Sequence, residues 1–421
     1  MKNFTPKIIV AHPGQQHSYK VATALRKAGM LYKYFTCVYD KQDSFIMKIA
    51  HFFVRGKDVK KISNRKCEFL EDNYVIIYYT FLSLVVIVLS RFSFTSNLSH
   101  WLDRTISDNF GIKVAKYAIK HNVDAVICFS TNETRCFEYL KKYAPNIKRI
   151  CDCASSPKAY MQYIYNQDME QFNHSELKKE VPKFWDSNVI KKEKKGIIFS
   201  NYFLAPSQFV VKGLDFCGVK KEQIFIVPYG SNFDVVRKEI NILNEIRFLY
   251  VGQVTYRKGL HHLLNVFSKL DYENIVLDVV GSINKDSNLY EKYKKCNNIK
   301  FYGNVLHDDI KNFLLKDDVF VFSSLTEGLS LACLEAASYG LPLILSKNSG
   351  ANDMVENGYN GFAFNYDDEK SLEKYIKYFI ENKEEIFRFS MNILNTAKNY
   401  TWEKYNINLK NTIDEILKRQ E

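Results

Sequence analysis

DVFVFSS (318–324), LTEGLSLACLEAASYG (325–340) and LPLILS (341–346) form the continuous stretch on which the fold turns. The outer two are short apolar runs of the kind found in strands buried inside a sheet, and the middle one is a loop opening a helix. Strand, helix and strand in that order make one unit of a parallel sheet, because parallel neighbours need a crossover connection.

The alternation continues in both directions. Towards the N-terminus lie IRFLYVG (246–252), IVLDVVG (275–281) and IKFYG (299–303), and GFAF (361–364) follows as a late strand. Three helical patterns then run from Asp368 to the C-terminus. The first half repeats the scheme. It has KIIV from Lys7 to Val10, the loop AHPGQQHS, and a helix from about Tyr19 to Ala28 whose Val21, Ala22, Leu25 and Ala28 share a face. LYKYFTCVY, DAVICFS (124–130), IKRICD, YFLAPS (202–207) and QIFIVPYG (223–230) read as further strands, and 158–202 as mostly helical. Pro228 and Gly230 stop the last strand, and SNFDVVRKEINILNE reads as a linker. At 421 residues two cores are expected. The predicted class is α/β, two Rossmann-like doubly wound domains facing a central cleft. Their expected extents are 1–230 and 231–385, with helices of 386–421 packing back towards the first domain.

Composition narrows the class without naming a ligand. Hydrophobic residues make up 46% and charged residues 25%, which suits a folded chain and excludes a disordered one. A net charge of +12 suits anionic partners, whether nucleic acid, anionic lipid or phosphorylated small molecules. The densest basic patch, Lys191, Lys192, Lys194 and Lys195, is interrupted by Glu193 and reads as a solvated helix face. No basic helix carries base-stacking aromatics, so nucleic acid is not an expected partner. The nine cysteines lack zinc-finger spacing and are read as buried reduced thiols of a cytoplasmic protein. MKNFTPKIIVAHPG breaks its apolar run early, unlike a signal peptide. Asn73 to Ser90 is uncharged and near the threshold for a spanning helix, yet both flanks belong to one α/β domain. A buried element, or one dipping into the membrane interface, is the expectation.

In doubly wound sheets ligands bind beyond the carboxyl ends of strands. One such position holds Gly252-Gln253-Val254-Thr255-Tyr256-Arg257-Lys258-Gly259. A glycine, two cations and a helix start suit a pyrophosphate, although a lysine there can simply be solvated. Another holds Glu327 in the loop and Glu335 about two turns into the helix, beside the amides of Gly328 to Leu331. Carboxylates beside an anion site suit a polyol, whose hydroxyls they accept. For Glu335 the alternative is a surface helix residue.

EGLSLACLEAASYGLPLILS resembles the E-x7-E region of retaining glycosyltransferase family 4, which has the GT-B fold. The resemblance extends over LAPSQFVVKGL, IFIVPYGSNFD, FLYVGQVTYRKGL, IKFYGNVLHDDI and GYNGFAF. It implies a nucleotide-sugar donor, a glycan or lipid-linked acceptor, and transfer with retention, the departing phosphate serving as base. Bacterial capsule or lipopolysaccharide synthesis is the implied setting, on the cytoplasmic side and peripheral at an anionic membrane surface. By the same resemblance Lys258 and Arg257 bind the pyrophosphate, Glu327 the transferred sugar and Glu335 the ribose. Gly328, Leu329 and Ser330 lend amides, and Gly14 lets the N-terminal backbone approach the phosphates. Gln253 stands where many relatives carry Arg, which shifts load to Arg257. Ser155, Ser156 and Pro157 stand where many carry a cleft histidine. His17 is a candidate substitute, with a structural role at the helix entry as the alternative.

No resident cofactor is expected. No Asp-x-Asp pair ends a strand in the second half, so no catalytic metal is expected either. The adjacent pairs Asp308-Asp309 and Asp317-Asp318 suit capping or surface roles. Competing readings are a nucleotide-sugar epimerase or phosphorylase of the same fold, or a non-catalytic sugar-nucleotide sensor. A phosphorylase would need a lysine-bound pyridoxal group and a longer chain. A sensor would be favoured by loss of Lys258 or Glu327, and both are present.

Overall fold

A computed structural model describes residues 5–41, 66, 67, 69–90, 92, 95–236 and 245–419. Part of the expected linker, 237–244, lies outside them. The first sheet contains β1 (Ile8–Ala11), β2 (Leu31–Thr36), β3 (Val75–Ile77), β4 (Ala125–Phe129), β5 (Lys148–Asp152), β6 (Tyr202–Ala205) and β7 (Ile224–Ile226). The second contains β8 (Ile246–Val251), β9 (Ile275–Val280), β10 (Ile299–Gly303), β11 (Val319–Phe322), β12 (Leu343–Ser346) and β13 (Gly361–Phe364). The orders are β3-β2-β1-β4-β5-β6-β7 and β10-β9-β8-β11-β12-β13. Every pairing between these strands is parallel. Each sheet therefore reverses its winding once, between β1 and β4 and between β8 and β11, the crevice position of a doubly wound sheet.

Beside the reversals β1, β4 and β11 are wholly buried, and β8 is buried but for Val251, which explains their long apolar runs. A polar exception lies in the second sheet. Arg247 on β8 reaches Asp278 and lies 3.1 Å from Asp317, while its backbone amide donates to Asp318 at 2.9 Å. Asp317 and Asp318 are thus buried partners of Arg247 and not surface residues, and Asp317 also stands at the C-cap of the Ile310–Lys316 helix. Burial beside Asp278 raises Asp317 to about 8.

Two late helices divide between the domains. Glu385–Ala397 packs on Leu331–Ser338 of the second, and Trp402–Lys418 packs on Ser18–Lys27 of the first. The chain recrosses where Ser231 pairs with Thr401.

The apolar run from Asn73 to Ser90 is two elements. Val75–Ile77 is the edge strand β3, Tyr79 turns the chain at φ 62, and Thr80–Leu89 is a helix with no buried residue. The helix is half-buried: Leu84 and Val86 pack against the core of the first domain, while Phe81, Leu82 and Val88 are exposed. Among the described residues no helix is long and apolar enough to cross a membrane. No disulfide joins the nine cysteines, of which seven are buried.

Candidate active site between the two sheets

The two reversals face each other across a cavity of about 660 Å³. The first domain contributes Gln16, His17 and Lys20, which follow β1, with Tyr229 after β7. Gly252, Arg257 and Lys258 follow β8, and Glu327, Leu329 and Ser330 follow β11. Leu331, Ala332 and Trp402 also line it.

Lys258 and Glu327 form an ion pair at its centre, with side chains 14% and 23% exposed. They come from neighbouring strand ends, so β8–β11 pairing brings together residues 69 positions apart. The Lys258 loop is held by a turn at Gly259, whose φ of 61° favours glycine. A Cβ there would also collide with the Ser323 carbonyl. On its other side Glu180, from the first domain, accepts the amides of Tyr256 and Arg257 at 2.8 and 2.9 Å. Arg257 itself donates to Gln253 at 3.1 Å, tying together the two residues whose roles the sequence contrasted.

Glu335 is buried, not a surface helix residue. It accepts from Asn232 at 3.1 Å, and Asn232 accepts from the Trp402 indole at 3.1 Å. Burial raises its carboxyl pKa above the ordinary range. Neither Asn232 nor Trp402 was singled out in the sequence, since each reaches the site through the domain crossover.

The backbone around Gly328 differs from the expectation. Ser330 donates its amide to the Ser349 carbonyl at 3.3 Å, so it is committed within its own domain. The helix begins at Leu331, leaving the Leu331, Ala332 and Cys333 amides without partners one turn earlier. Leu331 and Ala332 line the cavity beside Leu329 and Ser330. Gly328 has another constraint: a Cβ there would overlap the Ala154 carbonyl of the first domain. Its carbonyl meanwhile accepts from Ser207 of that domain.

Gly14 is not on the cavity wall. Its amide donates to His12 Nδ1 at 2.8 Å, which commits it inside the first domain. Burial lowers His12 to about 4. His17 does line the cavity, and its Nε2 lies 2.9 Å from Asp152 and 3.2 Å from the Tyr229 hydroxyl. Asp152, at the carboxyl end of β5, went unmarked in the sequence although its position beyond a strand was a usable signal.

Residues 232–396 match the family described as "Glycosyl transferases group 1". A UDP-Gal:alpha-D-GlcNAc-diphosphoundecaprenol alpha-1,3-galactosyltransferase of Escherichia coli is 34% identical over 163 residues, 35% of this chain and 42% of that protein. An uncharacterized 41.2 kDa protein in the cps region of Klebsiella pneumoniae is 26% identical over 203 residues, 45% of this chain and 56% of that protein. The match thus spans about half the length of these curated relatives. Sucrose-phosphate synthase from Thermosynechococcus elongatus superposes with a TM-score of 0.65 at 16% identity, covering 98% of this chain and 99% of that one. Residues 232–396 thus carry a likeness to the group 1 glycosyltransferases, set on a GT-B fold of two parallel-sheet, Rossmann-like domains.

Proposed function

We propose that the protein transfers a sugar, with retention, from a nucleotide-sugar donor to a lipid-linked acceptor in bacterial surface polysaccharide synthesis. The observation that carries this reading is the Lys258–Glu327 pair set beside a helix start in the interdomain cavity. Lys258 and Arg257, with the Leu331 and Ala332 amides, suit a pyrophosphate. Glu327 suits the sugar hydroxyls, and Glu335, steadied by Asn232, suits the ribose. In the reaction the bond from the sugar C1 to phosphate oxygen breaks, and the acceptor oxygen bonds to C1 on the same face. The acceptor proton passes to the departing phosphate, so no protein base is needed at that face. His17, held by Asp152, orients the acceptor side. The polysaccharide setting is supported by the names of the two curated relatives.

A panel of nucleotide sugars, screened by thermal shift and by slow hydrolysis with and without Mg²⁺ or Mn²⁺, tests this reading. One nucleoside diphosphate series should raise the Tm, by mass action on the folded state, and turnover should persist without added metal. Absence of any shift across the panel would sink the donor assignment. Turnover strictly dependent on added Mg²⁺ or Mn²⁺ would sink its metal-independent form.

We further propose that the first domain rests on an anionic membrane. Phe81 is 66% exposed and Trp101 62%, on two helices that pack together, Thr80–Leu89 and Ser96–Lys120. Trp101 and Arg104 line a cavity of about 620 Å³ with Lys183, where Lys158 and Lys192 are paired with Glu193 and Asp108. Lys178, Lys179, Lys191, Lys194 and Lys195 are exposed in the same domain. Basic groups near such a surface contribute about 1 kcal/mol each, added to the apolar contact. Sedimentation should therefore require anionic liposomes and fall as salt rises. No binding even at low salt would overturn membrane attachment by this face.

A further inference from the structure

Outside the cavity, the two domains meet at a cluster of imidazoles around one carboxylate. Asp168 lies on the Lys158–Gln171 helix of the first domain and is fully buried. Just beyond that helix Asn173 adopts φ 49, which folds the chain back so that His174 Nε2 sits 2.8 Å from Asp168 Oδ2. His261 and His262 open the Leu260–Phe267 helix of the second domain, directly after Lys258 and Gly259. His262 Nε2 lies 2.8 Å from Asp168 Oδ1, and its Nδ1 lies 3.1 Å from Glu369.

His261 is the group this network leaves unexplained. Its side chain is 11% exposed, and its Nε2 lies 3.2 Å from Asp168 Oδ2. Beyond that contact, His261 Nδ1 and His174 Nδ1 have no hydrogen-bond partner. Buried imidazole nitrogens without partners are costly, so a network left in this state is unfinished.

We propose that Asp168, His174 and His261 bind a zinc-class divalent ion that clamps the two domains together. One ligand atom from each lies within 4.8 Å of the others. A tetrahedral ion with bonds of about 2.0–2.2 Å sets its ligand atoms about 3.4 Å apart, so the 2.8 and 3.2 Å contacts to Asp168 need only open slightly while any wider pair closes. Two imidazoles and a carboxylate suit zinc; magnesium and calcium prefer all-oxygen sets. His262 holds the second carboxylate oxygen of Asp168, with Glu369 behind it, as outer-shell groups orient a metal ligand. The Tyr256 ring stands 4.8 Å from both His174 and His261 and covers the site. Bound metal would fix the helix that begins beside Lys258, and so the orientation of that loop. This site is independent of the transfer reading.

The test uses the full chain, tag removed, stripped by chelator and titrated with Zn²⁺ by calorimetry. One equivalent should bind with micromolar affinity or tighter, and Zn²⁺ should raise the Tm. H174Q and H261Q should each weaken binding by at least about 10-fold, whereas H121Q, beside Tyr32, should not. In the wild type, Co²⁺ should give the intense visible bands of tetrahedral coordination, a readout independent of whether the variants fold. The proposal is overturned if no stoichiometric Zn²⁺ binds, if H174Q and H261Q bind as the wild type does, or if Co²⁺ shows only the weak bands of the hydrated ion.

Discussion

Lys258→Ala and Glu327→Ala should each lower kcat/KM for sugar transfer by about 10²–10³-fold while leaving the fold intact. The two side chains neutralise each other in the free enzyme and sit largely out of solvent. On the proposed reading, donor draws the cation to phosphate and the carboxylate to sugar hydroxyls, so each replaces its partner with a group of the substrate. Deleting either loses that contact and leaves the other charge partly buried and uncompensated. Both residues lie in loops after buried strands and fill no core, so each variant should fold, with a Tm lowered by the charge left unpaired. The double variant should lose less than the product of the single losses, because the residues act on one bound group. Near-wild-type kcat/KM in either well-folded variant would refute the assignment.

Gly328→Ala should reduce transfer about 100-fold for a different reason. The added methyl would overlap the Ala154 carbonyl and lie 3.1 Å from the Ser155 Cα, so backbone meets backbone across the domain boundary. No rotamer change relieves such a clash. Retreat into the second domain is also closed, because a Cβ built on Gly350 points against the Gly328 carbonyl. The domains must part, or the Glu327 loop must shift, by about 1 Å, and misplacement on that scale costs about 10² in rate. Both sheets should stay folded, since their strands are untouched. Wild-type turnover in Gly328→Ala would show that the domains do not need this contact.

Much of the fold was legible because buried parallel strands are local apolar runs and their bounding loops are punctuated by Gly and Pro. Lys258 and Glu327 were legible too, since strand-end position follows from chain order alone. The helix at Thr80–Leu89 was harder: charge-free composition extends across β3 and the helix, and only the turn at Tyr79 separates them. The commitment of the Ser330 amide to Ser349 was not legible, because one residue in the helix start decides which amides are free.

What the sequence by itself determined is the two doubly wound domains and the strand ends that carry the candidate chemistry, because both follow from periodicity over a few residues. Tertiary structure alone decided the rest. It bonded Asn232 to Glu335, brought Trp402 back to the cavity, placed Ala154 against Gly328 and set Asp168 among three histidines. These contacts join distant parts of the chain across the domain boundary. They depend on how two packed bodies close on each other, which no local pattern of residues encodes.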